Sequence, residues 1–176
     1  MKIEIKNVKI NNSFSEETIC FTADIFVDGK KTAYARNDGR GGCTHYSSYH
    51  KPNNDHDLRQ AEAYAKSLPS TSHEFMGKTM VLESNLESLI DEAVYAIDNK
   101  READKFQKKI QKACETSIVY GIPNSGGFKA IGFKGKLKLN DLANTIQGQA
   151  AIRNLVERVK KELKDGEVIL NTNILF

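Results

Sequence analysis

The sequence predicts an α+β fold: an N-terminal antiparallel β-meander, two helices (one of them long), further β-strands, a C-terminal helix and a final strand. Apolar and polar residues alternate through most of the first 46 residues, which is typical of strands. Apolar residues then recur at helical spacing, and Gly- and Pro-containing turns separate the runs. The 176 residues suit a single domain, 1–176, and the pattern also allows lobes at 1–70 and 84–176.

The meander comes first. Residues 2–10 change their alternation in the middle, which predicts a strand with a bulge. Residues 18–27 alternate cleanly, and Asp28-Gly29 then predicts a tight hairpin turn. Residues 30–37 form the returning strand, and 43–46 add a short fourth one.

Two helices follow. Residues 54–68 carry an apolar stripe, capped by Asn54 or Asp55 and ended by Pro69. The run Ser84-Asn85-Leu86-Glu87 fits a capping box, and the apolar spacing after it extends to Thr116. This helix either runs through 98–100 or breaks there, and helix 85–116 offers a surface for homo-oligomer formation.

The C-terminal elements are less regular. Residues 117–122 read as a strand, and 128–139 as a second, half-buried strand with lysines on its outer face. A last helix capped by Asn140 and a closing strand at 168–175 complete the fold.

Composition favours a cytoplasmic protein without a membrane partner. No apolar run approaches the roughly 20 residues that span a bilayer, and the N-terminus lacks an apolar signal region. Cys20, Cys43 and Cys114 are odd in number and far apart, which favours reduced thiols.

Charge is distributed unevenly. Residues 105–164 hold 13 Lys and Arg against four acids, a net charge of +9 in a chain of +3 overall. This excess predicts a nucleic-acid or acidic partner, or simply lysines that solvate helix faces.

The segment 36–42 is the main candidate site. Glycine-rich turns let backbone amides converge on an anion, and arginine presents a fork to phosphate or carboxylate. The glycine spacing fits neither a P-loop nor a dinucleotide fingerprint, and Asn-Asp-Gly is also typical of a structural turn. Nearby tyrosines favour a nucleotide or base as the ligand. The candidate ligand-binding residues are Tyr34, Arg36, Asn37, Asp38, Arg40, Gly41, Gly42, Tyr46, Lys129 and Lys134.

A metal site is the weaker alternative. Cys43, His45, His50 and His56 are suitable ligand types, but their spacing matches no zinc module that we can assign, and surface histidines are the default. No catalytic triad, acid–base pair or metal-binding helix motif is present, so we expect no catalytic residues and no cofactor.

The unit made of Val27-Asp-Gly-Lys30, a strand, and Asn37-Asp-Gly-Arg-Gly-Gly42 resembles the N-termini of small hypothetical proteins of tailed phages and mobile elements. The resemblance covers roughly the first quarter of the chain and brings no established activity. It implies a mobile-element setting, in the host cytosol, where small non-enzymatic proteins often antagonise host defence.

Two hypotheses follow. One is a phage-type inhibitor that captures an anionic, nucleotide-like ligand or a host defence protein. The alternative is a nucleic-acid-binding module that uses the basic 105–164 region.

Overall fold

The structure is a computed structural model that describes residues 1–51, 53–75, 77–123 and 125–174. The α+β fold predicted from the sequence is confirmed. Its elements are β1 (Ile3–Ile10), β2 (Phe21–Val27), β3 (Lys30–Asn37), β4 (His45–Ser48), α1 (Asn54–Lys66), β5 (Thr71–Phe75), β6 (Lys78–Leu82), α2 (Leu86–Cys114), β7 (Ser117–Gly121), β8 (Lys129–Gly132), α3 (Leu139–Ala143), α4 (Ile146–Glu162) and β9 (Val168–Ile169).

The chain forms two compact units, Met1–Asn99 and Lys100–Phe176. The division lies inside α2, whereas the sequence suggested one between residues 70 and 84. α2 itself is continuous, so residues 98–100 do not break it.

The first unit is built on an antiparallel sheet in the order β1-β2-β3-β4. The predicted bulge is confirmed: the pairing of β1 with β2 shifts between Lys6 and Lys9, where Asn7 has φ 54°. The hairpin turn is confirmed as well, because Asp28 and Gly29 have the positive φ values of 47° and 83° that a type I′ turn requires.

One face of this sheet carries the core. Alternate residues of β2, from Phe21 to Val27, are buried with Leu86, Ile90 and Val94 of α2 and with the alanines of α1. The other alternate residues point to the opposite face, which we call the open face. The side chains of the open face are those of Glu4, Lys6, Lys9, Thr22, Asp24, Phe26, Lys31, Tyr34, Arg36, His45 and Ser47.

Helix α2 begins one residue later than the predicted capping box implies. Asn85 Oδ1 accepts from the Ser88 amide at 2.8 Å, and Ser88 Oγ accepts from the Asn85 amide at 3.1 Å. This reciprocal cap therefore replaces the Ser84–Glu87 pair. It is preceded by a hairpin of β5 and β6 that the sequence pattern does not predict.

The second unit has an antiparallel sheet in the order β8-β7-β9. Ile118 and Tyr120 of β7 pack in one cluster with Ile152 and Val156 of α4. Val119, on the other face of β7, packs with residues of α2 that include Ile110 and Cys114. Strand β7 is thus covered on both faces, which explains its unbroken apolar sequence.

Three C-terminal predictions are wrong in detail. The last helix is capped by Thr145, whose Oγ1 accepts from the Gly148 amide at 3.0 Å, and not by Asn140, which belongs to α3. The chain turns between α3 and α4, and a Cβ on Gly148 would lie 2.0 Å from the Leu142 carbonyl oxygen. Strand β8 ends at Gly132, and Lys136, inside the predicted strand 128–139, has the left-handed φ of 53°. Strand β9 spans only two residues.

None of the described helices is long and apolar enough to cross a membrane.

Candidate functional site

Strand register places a row of polar side chains across the open face. Lys9 of β1 pairs with Thr22 of β2, Thr22 with Arg36 of β3, and Arg36 with His45 of β4. All four are exposed, as is Arg40 in the loop that follows β3. We call Lys9, Arg36, Arg40 and His45 the basic end of the open face. Throughout the described part of the chain, no carboxylate lies within 4.0 Å of these four side chains.

Charges elsewhere on the open face are neutralised. Glu4 lies 3.0 Å from Lys2 and 3.2 Å from Lys6, and Asp24 lies 2.8 Å from Lys31. The open-face cations without an ion pair among the described residues are therefore those of the basic end, where the carboxylate of Asp38 shares the surrounding depressions and that of Glu17 lies against Gly41.

The loop between β3 and β4 is organised by Asn37, which is only 6% exposed. Its Oδ1 accepts from Thr18 Oγ1 and from the Gly39 amide, both at 2.8 Å. Its Nδ2 donates to the Gly42 carbonyl at 2.9 Å and to Thr44 Oγ1 at 3.2 Å. The Asn37 amide thus connects both ends of the loop.

The loop is also tied to the segment before β2. The Gly39 carbonyl accepts from the amides of Glu16, Glu17 and Thr18 at 2.9, 3.1 and 3.3 Å. Gly39 has φ +83°, and a Cβ there would lie 2.2 Å from the Phe14 carbonyl oxygen. Glycine is required at this position, because any side chain would push the two segments apart.

A third anchor joins the loop to α2. The backbone amide of Thr44 donates to the Glu87 carboxylate at 2.8 Å, and the Thr44 hydroxyl donates to the Asp91 carboxylate at 2.6 Å. Burial raises the pKa of Asp91, and the charge of Glu87 adds to this rise against the hydrogen bond from Thr44. With all three anchors, the loop between β3 and β4 is ordered by hydrogen bonds within the protein itself.

Three depressions surround these residues, with volumes of about 490, 480 and 700 Å³. The first two share Cys20, Asn37 and Asp38, and the last two share Lys9 and Thr22. They form one groove along the open face. Each has the size of a small-molecule site.

The far end of the groove contains a hydrogen-bonded cluster around Asp24. The side-chain amide of Asn7 donates to the Asp24 carboxylate at 2.7 Å, and Lys31 Nζ lies 2.8 Å from it. The Tyr49 hydroxyl also donates to this carboxylate. Lys31 lies 4.8 Å from the centre of the Tyr49 ring, and the Tyr34 ring is 5.7 Å from that of Tyr49. These contacts fix the aromatic side chains in place.

The cluster predicts a pH dependence of stability. Burial raises the pKa of Asp24, but the hydrogen bonds from Lys31, Tyr49 and Asn7 outweigh it, so that the folded pKa lies below the ordinary 3.8. The ionised cluster therefore stabilises the fold above about pH 3.8, and this contribution is lost as the pH falls through the folded pKa.

We expect Asp24→Asn to lose less stability than the wild type between pH 5 and pH 3, measured by urea denaturation. Other carboxylates contribute equally to both proteins, so the difference isolates Asp24. Equal losses would mean that the cluster does not stabilise the fold.

The structure separates several of the candidate ligand-binding residues. Asp38, Arg40, Gly41 and Gly42 are exposed in the loop. Tyr46 pairs with buried Ala35 and packs on the helix-covered face, so it lies on the opposite side of the sheet from Tyr34. Burial and nearby Glu62 raise the pKa of Tyr46 to about 12.

Lys129 and Lys134 belong to the second unit. Lys129 lies 2.8 Å from Glu167, and Lys134 is exposed in the turn after β8. The residues that line the groove all belong to the first unit.

The candidate metal ligands Cys43, His45, His50 and His56 are all exposed. Over the described residues, no three His, Cys, Asp or Glu side chains are grouped to hold a metal ion.

Lys9, Thr22, Asp24 and Tyr49 line the groove but were not among the sequence candidates. The register of β1 after its bulge was the signal that could have identified Lys9.

No protein-family model matches the chain, and no curated protein or solved structure is significantly similar to it.

Proposed function

We propose that this protein is a non-enzymatic binding protein that captures an anionic ligand at the basic end of the open face. The observation that carries the proposal is that Lys9, Arg36 and Arg40 have no carboxylate partner within the described residues, although they line one groove. Elsewhere on the same face, the charges are paired.

The chemistry of these groups supports binding. Arginine presents two parallel N–H groups to phosphate or carboxylate, and charge-assisted hydrogen bonds of this kind are stronger than neutral ones. Arg36 is on a strand, and Arg40 is in a loop whose backbone is fixed by Asn37 and Gly39. Preorganisation of this kind increases affinity.

The resemblance of 27–42 to proteins of tailed phages and mobile elements supplies a biological setting for the proposal. In the cytosol of a host cell, such a protein would inhibit defence by withdrawing an anionic signal or by occupying the anion-recognition surface of a host protein.

We expect the double variant Arg36→Gln, Arg40→Gln to lose affinity for pyrophosphate and ADP by at least about tenfold. Isothermal titration calorimetry at low salt measures this loss. Both arginine side chains are exposed, so the melting temperature should remain that of the wild type.

The matched control is Arg59→Gln, Lys66→Gln, which removes two exposed positive charges from α1. This control should bind as the wild type does. The proposal fails if the wild type binds neither probe, or if the control loses as much affinity as the Arg36 and Arg40 variant.

A second candidate function is nucleic-acid binding by the basic 105–164 region. Lys105, Lys108, Lys109 and Lys112 are exposed on one side of α2, at helical spacing. Lys105 lies 2.6 Å from Glu102, and the other three have no ion pair within 4.0 Å among the described residues. Isothermal titration calorimetry with a short single-stranded DNA tests this second function. Salt-sensitive binding that Lys108→Gln, Lys112→Gln removes, and that the Arg36 and Arg40 variant keeps, would favour this function.

A further inference from the structure

The groove has two chemically different ends. At one end are the cations of the basic end, and at the other is the ring of Tyr34, which is 42% exposed. Tyr34 and Arg36 are two residues apart on β3 and face the same side, so their Cα atoms are about 7 Å apart. The aromatic ring of Tyr34 and the cation of Arg36 are therefore carried by positions separated by one two-residue repeat of the strand.

The Tyr34 ring is held for stacking. It is tilted by 52° against Tyr49, at a centroid distance of 5.7 Å. Tyr49 is itself fixed by its hydrogen bond to Asp24 and by Lys31 over its ring. A ligand ring that stacks on the exposed side of Tyr34 would meet a surface that is already ordered.

The space between the two ends is open and polar. The depression beside Tyr34 and the depression beside Arg36 share Lys9 and Thr22. Thr22 is exposed and pairs with Arg36 across the strands, so its hydroxyl is available between the ring and the cations. A ligand that fills the groove needs a flat apolar part, a polar spacer and an anionic end.

We infer that the ligand is a nucleotide whose base stacks on Tyr34 and whose phosphates contact Lys9, Arg36 and Arg40. This inference rests on the proposed function and adds the chemical class of the ligand. Inorganic phosphate would leave Tyr34 unused, and an aliphatic acidic peptide would not stack on it. A nucleotide supplies all three parts, as a free molecule or as the end of a nucleic-acid strand.

Calorimetric titration of the full chain with ADP, pyrophosphate and adenosine tests the inference. The wild type should bind ADP more tightly than pyrophosphate, because the base adds stacking. Tyr34→Leu keeps an apolar side chain but removes the ring, and should weaken ADP binding roughly 5- to 100-fold. Its affinity for pyrophosphate should not change.

Tyr95→Leu is the matched control, since Tyr95 is a half-exposed tyrosine on α2 and outside the groove. It should leave both affinities unchanged. If ADP and pyrophosphate bind equally and Tyr34→Leu changes neither, the nucleotide inference is overturned while anion capture stands. If neither ligand binds, the proposed function fails with it.

A further arm distinguishes the two sources of the nucleotide. A short oligothymidylate that binds more tightly than ADP, and loses affinity in Tyr34→Leu, identifies a strand end as the ligand. ADP binding that equals or exceeds oligothymidylate binding identifies a free nucleotide.

Discussion

Replacing Asn37 with leucine is expected to lower the free energy of unfolding by about 3–5 kcal/mol. The substitution keeps the side-chain volume but removes four hydrogen bonds at a site that is 6% exposed. The hydroxyls of Thr18 and Thr44 would lose their amide partner, and so would the Gly39 amide and the Gly42 carbonyl. Each buried polar group without a partner costs about 1–3 kcal/mol.

Urea denaturation of the full chain measures the loss, and hydrogen exchange of the amides in 38–44 locates it. Asp38→Leu is the control: it places the same side chain at the adjacent, exposed position. That variant should retain stability within about 0.5 kcal/mol of the wild type. If Asn37→Leu were equally mild, the loop would not depend on the amide.

A similar loss, about 2–4 kcal/mol, is expected for Asn171→Leu in the second unit. Strand β9 ends at Ile169, and the Leu170 amide still bonds to Val119. Beyond Leu170, the side chain of Asn171 makes the hydrogen bonds to β7 that a strand backbone would make. Its Oδ1 accepts from the Val119 amide at 2.7 Å, and its Nδ2 donates to the Ser117 carbonyl at 3.0 Å. Leucine would leave both backbone groups of β7 without partners.

Thr172→Leu, at the adjacent exposed position, is the control for this variant and should be nearly neutral. The same urea denaturation serves, with hydrogen exchange at Val119 as the local readout. Unchanged protection of the Val119 amide in Asn171→Leu would show that the side chain does not complete the strand.

Much of the fold was predictable because its signals are local. The alternation in β2, the Asp28-Gly29 turn and the change of alternation in β1 each specify a backbone shape without reference to distant residues. The apolar stripe of α2 likewise specified a long helix. Its cap was placed one residue early, because Ser84 and Asn85 are both good capping residues in sequence.

The rest depends on tertiary contacts. Asn37 precedes a glycine-rich loop, and Asn171 lies within the predicted strand 168–175. In neither case does the sequence show that the asparagine side chain bonds to a buried backbone. The predicted strand at 128–139 is shorter in the structure, because β8 ends at Gly132 and Lys136 adopts a left-handed conformation that a strand does not allow.

The candidate site was predictable in part. The arginines of 36–42 were identified by residue type, and Tyr34 by its proximity in sequence. The grouping of Tyr34 with Tyr46 does not account for strand parity, because β3 and β4 pair so that these two rings lie on opposite faces. Lys9 joins the basic end only through pairing across three strands.

The bulge at Asn7 acts as a reading-frame shift within β1. Before it, Lys6 faces outward, and strict alternation would then turn Val8 outward and Lys9 inward. The extra residue reverses this assignment, so that Val8 joins the core and Lys9 joins the groove. Deleting Asn7 would leave Val8 in the core and Lys9 on the open face of a regular strand, so the bulge accommodates one surplus residue without exchanging the two faces of β1.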